Sequence, residues 1–210
     1  SRGGNNTFVA GSTAASSGGS IAYTGGSGDD SLTFGTFLAD EGGTATFDMS
    51  LDGNNTFVAD NYAARSGSLS YTGGSGDDSL TFGISLAAQN GTATFDMSAG
   101  GNNIFNAGST AASNGSLTYT GGAGDDSLTF GDYMAYSNGS VSVDMALGGT
   151  NTLVAGTAAA ISSGLIAYTG GSGEDSLTFG NRLAAVSGTA TFDLGSDSAV
   201  DTVTFEGTVA

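Results

Sequence analysis

The chain has 210 residues, 38 of them glycine, and contains no proline, cysteine, histidine or tryptophan. Twenty acidic residues face three arginines and no lysine, for a formal charge of −17. That balance excludes nucleic acid and anionic membrane surfaces as partners and favours cations. No apolar run reaches transmembrane length, and without cysteine stability must come from repetition, metal or assembly.

Strict alternation of apolar and polar residues argues against the disorder that high net charge often brings. The chain opens at Ser1 without a signal-like segment, which reads as a processed chain or an excised piece. Taken in order, the first strand-type run follows Gly4-Asn5-Asn6-Thr7-Phe8, and it returns 24 residues on as Gly28-Asp29-Asp30-Ser31-Leu32. The second run, Ser20-Ile21-Ala22-Tyr23-Thr24, returns at the same offset as Thr44-Ala45-Thr46-Phe47-Asp48. The unit is therefore about 24 residues, in alternating Asn and Asp versions, with eight units from Gly4 to about Ala199 and part of a ninth.

The inward columns are complementary. Ala10, Ala59, Ala107 and Ala155 alternate with Phe34, Phe82, Phe130 and Phe179. Ile21 and Leu69 alternate with Ala45 and Ala93 in the second run. One coil alone cannot bury its apolar face, but stacked coils fill each other's gaps. The linker between the runs carries its own apolar column, Leu38, Leu86, Met134 and Leu183, each followed by alanine. It predicts a third inward face or corner. The fold expected is an all-β parallel β-solenoid (β-helix) of eight to nine coils. It forms a single domain about 40 Å long and is right-handed, as parallel crossovers nearly always are.

The stretch Gly25–Phe34, G-G-S-G-D-D-S-L-T-F, recurs from Gly73, with Ala123 for serine from Gly121 and with one acidic swap from Gly170. It fits the nonapeptide G-G-x-G-x-D-x-L-x and so resembles the calcium-binding repeats of secreted RTX proteins and the broader β-solenoid class. The 24-residue coil suits a parallel β-helix better than the 18-residue coil of a two-nonapeptide roll. The resemblance implies calcium, with Asp29, Asp30, Asp77, Asp78, Asp125, Asp126, Glu174 and Asp175 as its ligands. It also implies type I secretion and folding outside the cell. The alternative is that Asx side chains cap the turns and stack as hydrogen-bonded ladders, with Asn6, Asn55, Asn103 and Asn151 between the Asp residues. A second acidic column, Asp48, Asp96, Asp144 and Asp193, reads as a solvated rim.

Thr46, Ser70, Thr94, Thr118, Ser142 and Thr191 form an outward column that suits a solvated strand face or a flat surface for ice or carbohydrate. Tyr62 and Tyr133, on linkers, are expected to be exposed. Catalysis is not expected: no His or Cys is present, no nucleotide motif, and every acidic pair recurs with the fold period. The reading is an extracellular structural or adhesive solenoid, at the cell surface or secreted. The first unit begins almost at once, and the last stops after its first run. Copies are therefore expected to stack head to tail into a filament, a heterologous contact that extends rather than closes. A glycan or another surface is the further partner expected.

Overall fold

The computed structural model describes residues 3–209, and side chains as far as residue 207. Arg2 therefore lies outside the described residues. The chain winds into a β-solenoid with three parallel walls. Wall A stacks nine strands from Thr7–Ala10 to Thr202–Phe205. Wall B stacks nine from Thr13–Ser16 to Thr208–Val209, and wall C stacks eight from Ser20–Thr24 to Thr189–Asp193. Eight coils are complete and a ninth supplies walls A and B only.

Register follows the sequence period without slippage. Phe8 pairs with Leu32, and Ala10 with Phe34. Ile21 pairs with Ala45, and Tyr23 with Phe47. A slip of one residue would turn every inward side chain to solvent, and the large-to-small alternation forbids it. In wall C the alternation is complete: Ala45 and Phe47 are fully buried, while Thr44, Thr46 and Asp48 are exposed.

The core is an aromatic zigzag. Phe34 meets Phe57 of the next coil at 5.4 Å, Phe57 meets Phe82 at 5.6 Å, and Phe82 meets Phe105 at 5.6 Å. Wall C wedges Phe47 against Phe57 and Phe95 against Phe105, each at 4.9 Å in an edge-on arrangement. Such tilted and edge-on pairs suit the ring quadrupoles. The chain of rings ends at Phe130, where Val143 and Leu153 take the aromatic places.

The linker column does make a third inward face: Leu38, Leu86, Met134 and Leu183 are all buried. Wall B is a strand layer, not a corner. Each of its first eight strands runs into an alanine with positive φ, from Ala15 (51°) and Ala39 (52°) to Ala184 (53°). That conformation costs an L-residue about 1–2 kcal/mol. It is held by the stacking: the alanine carbonyl projects along the axis onto a glycine of the next coil. Ala64 sits over Gly91 in this way and Ala112 over Gly139, so a Cβ on either glycine would collide with backbone.

Phe82 is 2% exposed and touches Phe57, Phe95 and Phe105. Phe82→Ala is expected to cost about 3–5 kcal/mol in denaturant melts, because Ala59 and Ala107 on either side cannot fill the void. Thr81→Ala, on the outer face, is the control and is expected to change little. Near-neutral behaviour of Phe82→Ala would remove this column from the core.

Candidate functional site

The recurring glycine turn leads into wall A, and its two acidic residues part company there. In an extended strand successive side chains point to opposite faces. Asp30, Asp78, Asp126 and Asp175 point inward and are 1% exposed. Asp29, Asp77, Asp125 and Glu174 point to solvent. The structure thus brings the expected ligands together as two separate columns, not as four chelating pairs.

The inner column is a continuous ladder. The backbone N–H of Asn6 donates to Asp30 Oδ1 at 2.8 Å, and Asp30 N–H donates to Asn55 Oδ1 at 3.0 Å. Asn55 N–H donates to Asp78 Oδ1 at 2.8 Å, and Asp78 N–H to Asn103 Oδ1 at 3.0 Å. Each rung donates toward the following coil, as far as Asp175 N–H to Asp201 Oδ1 at 2.9 Å. Asparagine adds a second bond: Asn55 Nδ2 reaches Asp78 Oδ1 at 2.9 Å and the Gly53 carbonyl at 3.0 Å. Each carboxylate after an asparagine coil thereby gains a second N–H from that asparagine, and buried charges fall about 9.6 Å apart instead of about 4.8 Å.

The outer column runs the other way. Asp29 N–H donates back to Asn5 Oδ1 at 3.0 Å, Asn54 N–H back to Asp29 Oδ1 at 2.9 Å, and Asp77 N–H back to Asn54 Oδ1 at 2.8 Å. It continues to Thr150 N–H and Asp125 Oδ1 at 2.7 Å. Two opposed ladders therefore stitch each glycine turn to both of its neighbours.

The motif glycines fit this arrangement. A Cβ on Gly25 would lie 2.7 Å from Asp30 Oδ2, and one on Gly73 would lie 2.6 Å from Asp78 Oδ2. Gly26 N–H donates to Asp30 Oδ2 at 3.2 Å. The third motif glycine stacks on its counterpart: a Cβ on Gly76 would strike the Gly53 carbonyl. Behind each carboxylate lies a tyrosine from wall C. Tyr71 donates its hydroxyl to Asp78 Oδ2 at 3.3 Å. Among the described residues, the buried side-chain oxygens left without a partner are those of the equivalent pairs, Tyr119 Oη with Asp126 Oδ2 and Tyr168 Oη with Asp175 Oδ2. Met49, Met97 and Met145, buried beside the same turns, close the pocket with thioether sulfur.

Calcium takes six to eight oxygen ligands. The inner Oδ1 atoms already accept two N–H groups each where an asparagine precedes, and the glycine carbonyls at Gly53 and Gly101 accept asparagine Nδ2. Around the Asp126 carboxylate the neighbours are the Gly122 N–H, the Tyr119 phenol and the Met145 sulfur, not a ring of hard oxygens. This donor set does not fit a chelated calcium ion inside the turn. The outer carboxylates keep one oxygen toward solvent, and among the described residues no three acidic side chains converge on one point.

The second acidic column is a solvated rim. Asp48, Asp96, Asp144 and Asp193 are exposed, and each accepts the N–H two residues on, at 3.0–3.2 Å. Sequence reasoning missed a cluster on wall B. Arg65 pairs with Asp40 through Nε at 2.9 Å and Nη2 at 2.7 Å, and its guanidinium lies 5.0 Å and 5.3 Å from the Phe37 and Tyr62 ring centroids. The signal was a break in period, since Phe37 and Tyr62 stand where other coils have Thr13, Ser85 and Thr110. Comparison with family models, curated proteins and solved structures returns no match.

Burial pushes the Asp78 carboxyl up to about 6, against hydrogen bonds from Asn55 and Tyr71 that favour its ionised form. Asp126 moves up for the same reason. The folded chain thus holds protons that the unfolded chain, with carboxyls near 3.9, has already released. Stability from these groups is lost as pH rises through about 6 and regained as pH falls toward 4. The melting temperature is expected to rise as pH is lowered from about 7.5 to about 5. A melting temperature that falls steadily over that range would show that the inner carboxylates are stabilised as anions.

Proposed function

We propose that this chain is an extracellular structural or adhesive solenoid, working as a stiff spacer in a surface layer, matrix fibre or stalk. The observation that carries the reading is the repetition of the exterior on walls A and C. Outward positions stay in register coil by coil and are mostly serine and threonine, which suits a molecule used for its length and surface. The likeness of the glycine turns to RTX repeats supports secretion. Calcium enters this reading as a counter-ion along the exposed Asp29, Asp77 and Asp125 column, relieving self-repulsion at −17, not as a chelated core ion.

Self-association completes the proposal. The edge strands Thr7–Ala10 and Thr202–Phe205 each have one wall A partner among the described residues, and Phe205 is 42% exposed at its edge. An open parallel edge over an incompletely covered core is a template for one more coil. Another copy of this chain, or further coils of a longer one, would continue the same solenoid. A second reading, a ligand-binding module, draws support from wall B, whose exterior departs from the repeat at Phe37, Tyr62, Tyr133 and Tyr136.

Sedimentation across a concentration series, with negative-stain imaging, tests the association. The expected result is a mass that grows with concentration and rods in multiples of about 40 Å. Phe205→Asp is expected to weaken the association by placing a charge in the joint. A strict monomer at the highest concentration, with calcium present, would overturn it.

A further inference from the structure

Every aromatic side chain that points outward among the described strands lies on wall B: Phe37, Tyr62, Tyr133 and Tyr136. Both described arginines lie on that wall or at its corner, Arg182 within the strand and Arg65 two residues past Ala63. Walls A and C carry neither kind outward. On a molecule built by repetition, a feature confined to a few coils of one wall is a departure from the period. The fold itself does not need it, because Thr13, Ser85 and Thr110 serve the same positions in other coils.

Two stations result. In the first, Phe37 and Tyr62 stack at 5.4 Å and 14°, and Arg65 lies over both rings. Asp40, 3% exposed, holds that guanidinium with two hydrogen bonds, so the rings are fixed and the charge is already cancelled. In the second, Tyr133 and Tyr136 meet at 5.4 Å and remain 39% and 36% exposed. The positive-φ Ala135 between them turns both rings to one side. Between the stations the same column offers the hydroxyls of Ser85 and Thr110, in register with Tyr62 and Tyr133. The stations lie three coils apart, about 14 Å along the axis.

We propose that wall B binds a neutral polysaccharide lying along the solenoid axis, with Phe37/Tyr62 and Tyr133/Tyr136 as its two aromatic contacts. This rests on the second reading above, the ligand-binding module. Size and charge select the occupant. Wall B as a whole is one short strand wide, about 10 Å by 40 Å, and offers roughly half of the ~800 Å² per side that a stable protein interface uses. The chain's charge of −17 repels an anionic polymer, and the one arginine in the first station is spent on Asp40. A neutral sugar chain needs no counter-charge. Its C–H faces pack on rings with an apolar body, and its hydroxyls exchange hydrogen bonds with tyrosine, serine and threonine.

Affinity electrophoresis of the whole chain tests this in gels cast with soluble neutral polysaccharides (a mixed-linkage β-glucan, a galactomannan, a xyloglucan) or with anionic polygalacturonate. The expected result is retardation by at least one neutral polymer and none by polygalacturonate. The Tyr62→Ala/Tyr133→Ala double variant is expected to lose at least about tenfold in affinity, or roughly 1.4 kcal/mol, with an unchanged melting temperature. Thr94→Ala/Thr118→Ala, on wall C, is expected to bind as the parent does. Binding retained by the wall B variant and lost by the wall C variant would overturn the assignment of wall B and leave the binding-module reading standing. No retardation by any neutral polymer, or retardation by polygalacturonate alone, would overturn the proposal. Silence in every gel would remove the binding-module reading as well.

Discussion

A parallel solenoid must repeat its backbone every ~4.8 Å, and the turns are where that is hardest to satisfy. Strands meet through their own ladders, but a turn residue's N–H has no strand opposite it. Here the amides that enter wall A are met by Asx side chains one coil away. The inner ladder reaches forward and the outer ladder reaches back, so each turn is tied to both neighbours. The glycines follow from this. Gly25 and Gly73 leave room for the inward carboxylate, and Gly28, Gly53 and Gly76 allow carbonyl-to-backbone stacking. A motif shaped like a calcium nonapeptide can thus be accounted for as hydrogen bonding plus close approach.

Much of this was legible in the chain. The inward columns of walls A and C could be written down because large and small residues alternate between coils with a fixed period, and the register pairs agree residue for residue. The split of Asp29 from Asp30 was legible as well. Asp30 is in phase with Leu32 and Phe34, both inward, so its side chain had to point into the solenoid. Chemical resemblance to a metal motif outweighed that simple alternation.

Other features had no local signal. Positive φ is usually announced by glycine or asparagine, and here it falls on alanine in every complete coil, fixed by stacking from the coils on either side. The tyrosine behind each carboxylate comes from wall C, seven residues before its aspartate in the case of Tyr71 and Asp78. The glycine turn that joins wall C to wall A brings them together. The Arg65–Asp40 pair spans two coils, and neither residue stands out until the columns are aligned. Walls A and C express the period, and wall B is where the sequence departs from it.

The central claim is that the inward aspartates act as hydrogen-bond acceptors in a ladder and not as metal ligands. The fourfold variant Asp30→Asn, Asp78→Asn, Asp126→Asn and Asp175→Asn keeps every Oδ1 acceptor and removes every inner carboxylate of the motif. In Asp78→Asn the new Nδ2 can donate to the Tyr71 hydroxyl. The measurement is its thermal melt near neutral pH, with calcium and with excess chelator, beside the parent chain. The account predicts a variant that still folds cooperatively and melts alike with calcium and with chelator, and a parent whose melt the chelator does not collapse. A parent that unfolds in chelator, together with a variant that no longer folds, would contradict it and return calcium to the glycine turns.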